Sequence, residues 1–320
     1  MRFPVFIPLV PLAMFLASPL AAQFSGTSAS ALAPRFAAMI AVTGYEQRMA
    51  DSLLRLLPGA TRDRAGNVLV RLGTGDPRRL IACPMDEPGY VVGGIRPDGY
   101  LTLRRLGVRS ASPLFDQQLE GQRVMVQGRR GLLPGVVAVR SVHLTRGRGA
   151  GVDEPFNLDN AYVDIGASSD REVAALGVAV LSTVTLTKQP HTYGDGLMAS
   201  TVAGRRAACA ALASVALSKP SVQGTVVLAF VVEQNLGRRG LLTAGNTSGP
   251  FSETLFVDGG RGTPGLLTMS ADTSAVPEAL GKLSRMILPV RYPDTPVETV
   301  TLRDADALAD RISGWIGGAQ

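Results

Sequence analysis

Three apolar runs in this chain end in carboxylates or their amides, and those ends are where chemistry can be done. Leu80-Ile81-Ala82-Cys83 leads into Pro84-Met85-Asp86-Glu87-Pro88-Gly89-Tyr90, Thr225 to Val232 leads into Glu233-Gln234, and Thr254 to Val257 leads into Asp258. Acidic side chains at strand ends suit metal ligation and proton transfer, because a sheet holds them rigidly at the rim of one crevice. In the first run, a His-Met-Asp-Glu frame would deliver an imidazole ligand and a supporting carboxylate. Here Pro84 stands at the imidazole position. Proline carries no side-chain donor or acceptor, so it cannot bind a metal there. The chain's two histidines, His143 and His191, lie elsewhere.

Alternating elements must position these ends. Residues 29–57 predict a helix pair around Thr43-Gly44-Tyr45-Glu46, with Met49, Leu53, Leu54, Leu56 and Leu57 at helical spacing and Pro58-Gly59 as the stop. Strands follow at 68–72 and 80–83. From 92 to 186 short β-like runs alternate with Gly/Pro turns, which reads as an inserted small β-barrel-like domain. From 187 the α/β pattern resumes, with an Ala-rich helix at 207–217 and strands at 254–257, 284–290 and 298–302. The continuous apolar run 225–232 fits a central parallel strand covered on both faces, and a helix over 304–316 closes the chain. The expected fold class is therefore α/β, a three-layer domain with a mixed, mostly parallel sheet built from 23–91 and 187–320, interrupted by the β domain at 92–186. Gly147-Arg148-Gly149-Ala150-Gly151 contains a G-x-G, but it does not follow a strand and open a helix, so it reads as a loop rather than a phosphate cradle.

Composition narrows the class further. The 320 residues are 46% hydrophobic and 18% charged, enough for a sizeable core and too apolar for disorder. The net charge of +6 comes from dispersed arginines with few aromatics, so neither a nucleic-acid stripe nor stacking platforms are evident. Residues 1–22 read as a secretory signal: Arg2, an apolar stretch broken by Pro4, Pro8 and Pro11, then Leu20-Ala21-Ala22 for cleavage. No membrane span is expected, and the mature protein is placed in the periplasm or outside the cell. That compartment permits a disulfide. Cys83 and Cys209 both fall in segments read as buried, however, and two buried free thiols are the simpler expectation.

Taken in order, several segments resemble the deblocking, or tetrahedral (TET), aminopeptidases, a family of co-catalytic dizinc metallopeptidases also described as glutamyl aminopeptidases. The segments are Gly66-Asn67-Val68, Met85 to Tyr90, Leu119 to Val124, Ala161 to Ala167, Val232 to Gly240, Val257-Asp258 and Pro289 to Glu298. The resemblance spans roughly residues 30–320. It implies a zinc-peptidase-like α/β domain and a β insertion that serves assembly and gates access. It also implies roles, position by position. Pro84 replaces the first histidine ligand, while Asp86, the carboxylate that orients it, is kept. Arg206 matches the arginine of the helix-opening motif, which puts Gly204 at the aspartate that bridges both metals. Glu233 keeps the general-base position, Gln234 replaces the second-metal ligand with a neutral amide, Asp258 keeps a terminal ligand position, and Asp294 replaces the last histidine as a substitute ligand.

A dizinc centre needs a bridge and anionic or imidazole ligands on each metal. The joint loss at Pro84, Gly204 and Gln234 therefore points to a secreted homologue without catalysis or cofactor. Such a protein would act in binding or assembly, as a homo-oligomer, with an active paralogue through the β domain, or on a peptide ligand. The alternative is an active metallo-aminopeptidase or other hydrolase with a single-metal or rebuilt zinc site, using Glu233 as base and ligands such as His191, Asp195, Asp258 and Asp294. Glu233 and Asp86 also have a structural reading, as strand-end carboxylates held by hydrogen bonds or by Arg205, Arg206, Arg238 or Arg291. The 258–289 segment is short for the family, which puts the specificity pocket in question.

Overall fold

The computed structural model describes residues 26–106, 115–138, 156, 158–274 and 277–317. Residues 1–22, read as a signal, Gly147–Gly151 and His143 lie outside them. Helices α1 (Ala29–Ala37) and α2 (Gln47–Leu56) precede β1 (Thr61–Arg62), β2 (Val68–Gly73) and β3 (Arg78–Pro84). Six strands then close a barrel: β4 (Gly89–Ile95), β5 (Leu101–Leu106), β6 (Arg123–Gly128), β7 (Gly131–Ala138), β8 (Tyr162–Asp164) and β9 (Thr183–Leu186), with α3 (Asp170–Ala175) before the last. The chain continues through β10 (His191–Tyr193), β11 (Leu197–Ala199), α4 (Ala203–Ser218), β12 (Thr225–Val231), α5 (Arg239–Ser248) and β13 (Glu253–Arg261). It ends with β14 (Thr268–Ala271), β15 (Lys282–Val290), β16 (Thr299–Thr301) and α6 (Leu302–Gly317).

The main sheet runs β1-β2-β12-β3-β13-β15-β14. Its four inner strands, β12, β3, β13 and β15, are mutually parallel, and the flanking strands pair antiparallel. Every residue of β12 is buried, as an all-apolar strand between two layers must be. One face packs under α1, α2, α4 and α6. The other packs under α5 and the segment around Phe251. The barrel has a separate core built around Tyr90, Val92, Leu103, Val126 and Val163. The fold is therefore a three-layer α/β domain joined to a closed β barrel.

Register decides what meets at the carboxyl rim. Ala82 pairs with both Ala229 and Phe256, so β3, β12 and β13 run level with one another. Asp86 and Glu233 lie two residues beyond the last β3–β12 pair, Pro84 with Val231, and Asp258 lies within β13, two residues beyond its last pair with β3. Pro84 is tolerated as the last residue of β3 because Met85, not Pro84, donates to the Val231 carbonyl at 2.8 Å. A small sheet, β10-β11-β16, carries the chain from β15 back across the rim, and its Ser200 N–H donates to the Glu298 carbonyl at 2.9 Å.

The free-thiol expectation is corrected here. Cys83, at the end of β3, and Cys209, on α4, form a disulfide with a Cα–Cα distance of 5.5 Å. Both sulfurs sit in the core between sheet and helix, a meeting that spacing in the chain does not reveal. The bridge spans 126 residues of sequence, so on the loop-entropy account it stabilises the fold by about 2–5 kcal/mol. Replacing both cysteines by alanine should lower the unfolding free energy read from a urea titration by that amount. A reductant should do the same to the native chain and leave the double variant unchanged.

Candidate functional site

Asp86 and Asp258 meet the start of α4 at the carboxyl rim of the sheet, and what lies between the two carboxylates is an arginine. α4 begins with Ala203-Gly204-Arg205-Arg206, and consecutive helical positions point about 100° apart. Arg205 turns toward the strand ends. Its Nε donates to Asp258 Oδ1 and its terminal nitrogen to Asp258 Oδ2, both at 3.1 Å, a two-pronged guanidinium–carboxylate pair. Its other terminal nitrogen donates to the Asp86 carbonyl at 2.8 Å and lies 3.5 Å from Asp86 Oδ1. Burial disfavours the Arg205 charge, but Asp258 and Asp86 outweigh that and hold it protonated above the usual arginine range. Asp86 is fully buried. Its other oxygen, Oδ2, accepts from Thr43 Oγ1 at 2.9 Å and from both nitrogens of Asn235 at 3.0 Å.

Arg206 turns the other way. It is fully buried, donates to the Met85 carbonyl and lies 3.3 Å from Glu87 Oε1. Lys188 reaches the other Glu87 oxygen and also contacts Thr201. Burial pushes the Glu87 carboxyl up, but Lys188 and Arg206 together hold it below its ordinary value, so it stays ionised.

Gly204, where the resemblance led us to expect the bridging position, is closely packed. A Cβ built on Gly204 would lie 2.4 Å from Val290 Cγ1 and 2.8 Å from Gly259 Cα, and one on Gly259 would lie 2.5 Å from the Gly204 backbone. Helix and strand touch there backbone to backbone, so residue 204 has no room for a side chain. The Gly204 N–H donates to Glu298 Oε1 at 2.9 Å, and the Asp294 N–H reaches Oε2 at 3.4 Å. Glu233 adopts a left-handed conformation (φ 52°) and pairs with the exposed Arg239 at 3.2 Å. Its backbone N–H donates to Glu46 Oε1 at 2.9 Å. The Gln234 side-chain oxygen is buried with no hydrogen-bond partner among the described residues.

Asp294 is exposed, at a positive φ of 62°. His191 stacks on Tyr193 on the exposed strand β10, and exposed Asp195 lies 3.7 Å from Arg303. His191, Asp195, Asp258 and Asp294 are not brought together as a rebuilt ligand set. Among the described residues, no group of three or more His, Cys, Asp or Glu side chains is placed to hold a metal. Of the arginines named as partners, Arg205 and Arg206 take rim carboxylates, whereas Arg238 pairs with Asp272 at 3.1 Å. Sequence reasoning missed Glu46, Glu298 and the Glu87–Lys188 pair. Lone acidic residues outside the strand-end frame gave no signal of their burial.

Burial pushes the Glu46 and Glu298 carboxyls up to about 7, against the lowering effect of the backbone N–H groups they accept. In the unfolded chain both lose their proton near the ordinary 4.5. Between these values the folded state holds more protons, so stability falls as pH rises from about 4.5 to about 7, by at most about 3 kcal/mol per group. Glu298→Gln keeps an acceptor for Gly204 and removes the ionisation. Its urea-unfolding stability should therefore fall less than the native chain's between pH 5 and pH 8.

A sequence model of the family described as M42 glutamyl aminopeptidase matches residues 66–260. The chain is 30% identical over 214 residues to the putative aminopeptidase SgcX of Escherichia coli, covering 63% of this chain and 55% of that protein. It is 29% identical over 147 residues to the lysyl aminopeptidase of Pyrococcus furiosus, covering 43% and 40%. The chain thus spans about half the length of the curated relatives it matches. Among solved structures, the Pyrococcus horikoshii TET1 peptidase, which can assemble into a tetrahedron or a large octahedral shell, superposes with a TM-score of 0.76 at 21% identity, covering 88% of this chain and 97% of that one. Aminopeptidase APDkam598 of Desulfurococcus kamchatkensis gives 0.76 at 20% identity, covering 91% and 95%.

Proposed function

The chain belongs to the M42 glutamyl aminopeptidase family, and from that membership we propose that it is an exported member that has given up metal-dependent hydrolysis for a role in binding or assembly. The observation that carries this reading is the closed contact at Gly204. Two zinc ions need a carboxylate between them, and a side chain at 204 would collide with Val290 and the Gly259 backbone. The neighbouring donors agree. Pro84 offers no ligand, Gln234 is neutral, and Asp258 is already taken by a guanidinium. The residues present do not fit a dizinc centre.

Two further observations support export and assembly. The Cys83–Cys209 disulfide suits an oxidising compartment. The barrel leaves Val136, Val180 and Leu181 about half exposed or more, and large exposed apolar side chains on a small domain suit a partner surface. The TET1 relative assembles into shells, and self-association of this chain is the corresponding expectation here.

The test is zinc stoichiometry on chain purified without chelator and then supplied with zinc, together with hydrolysis of a panel of aminoacyl substrates. We expect close to zero zinc per chain, no thermal shift with zinc and no cleavage. One zinc per chain with hydrolysis abolished by Glu233→Gln would establish the active, rebuilt-site alternative instead. Light scattering should return a multiple of the protomer mass, and a monomer would remove the assembly half of the proposal.

A further inference from the structure

We infer that the rim between Asp86 and Asp258 is a guanidinium-binding site, filled from within the chain by Arg205. This rests on the reading that the metals have been lost, and says what replaced them. The site has the features that recognise a planar cation. Asp258 presents both oxygens to one edge of the guanidinium at 3.1 Å, and the end of β3 presents a carbonyl at 2.8 Å and a carboxylate at 3.5 Å to the other. The flat fork of donors matches this arrangement, where a compact ammonium would not.

The site is also built, not incidental. Asp86 is fully buried and Asp258 nearly so, while the Arg205 side chain is only 15% exposed. Among the described residues, Arg205 is the basic side chain that both carboxylates share. The remaining partners of the two carboxylates are neutral: Thr43, Asn235 and the Gly259 N–H. Two carboxylates kept out of water require a cation. A metal held by ligands from several strands would supply one from solution, whereas here the covalent chain supplies it. The Gly204–Gly259 contact and the disulfide from β3 to α4 set the helix start at the depth that Arg205 needs. The cation is therefore always present, at no dependence on metal supply.

The test is chemical rescue of Arg205→Gly. Removing the side chain should raise the unfolding equilibrium constant roughly a hundredfold or more, because it strands two buried carboxylates. About 10 mM guanidinium chloride, far below denaturing concentrations, should then stabilise the variant and leave the native chain unaffected, since a ligand that binds only the folded state protects by mass action. Urea, a neutral molecule of the same shape, should not rescue. Lack of rescue by guanidinium, equal rescue by urea, or equal protection of the native chain would overturn the inference. Should the glycine variant not fold, Arg205→Met with Asp258→Asn supplies a second arm. Neutralising the carboxylate should make the double variant at least tenfold more stable than Arg205→Met alone, and no gain would count against a charge role. Zinc uptake by the native chain would instead sink the loss of the metals, and it is read out separately.

Discussion

Two buried carboxylates stand at the rim of adjacent parallel strands, Asp86 just past the end of β3 and Asp258 within β13 beyond its pairing with β3, and the guanidinium of Arg205 is the cation that allows both to remain there. Parallel strands deliver their last residues to one rim, so any acidic residues at those ends are crowded together by register alone. Like charges in a low-dielectric rim repel strongly unless a counter-charge lies between them. The N-terminus of α4 is placed to supply it. The Ala-rich character of that helix lets it sink against α1 and the sheet until Gly204 meets Gly259.

A second shell of charge depends on the first. Arg206 and Lys188 share Glu87, a carboxylate buried one residue beyond Asp86. Glu87 also accepts from the Ala41 N–H at 3.1 Å, while Thr43 N–H donates to its carbonyl at 2.9 Å. The turn before α2 is therefore tied to the strand end by backbone and side chain together. Lys188 follows β9, so this network also joins the barrel's exit to the rim. The barrel and the α/β domain are coupled through buried charge as well as through the chain.

Much of this was legible in the sequence, and what was hidden has physical causes. The run 225–231 is so uniformly apolar that only a doubly covered strand suits it, and the structure buries all of it. The strand-end acids were visible because each follows an apolar run, and the same frame set the expectations at Pro84, Gly204 and Gln234. The hairpin of β10 and β11 and the edge strand β14 were not visible. β10 and β14 are short and exposed and β11 has only three residues, so none carries a readable hydrophobic period. The disulfide was hidden because distance in space is not written in spacing. Which of Arg205 and Arg206 faces which carboxylate is decided by helical phase at α4's first turn, and that phase is set by where Gly204 can touch the sheet.

The glycine pair also limits what can change around it. A helix that approaches a strand through two facing glycines has given up the space a side chain would need, and neighbours such as Val290 have filled what remained. A side chain at 204 therefore cannot be added on its own. An acidic residue at 204 must first push α4 away from β13, but the bridge to Cys83 and the grip of Arg205 hold that helix down. Room for such a side chain requires several residues to change together. Packing in this sense locks position 204 to its neighbours.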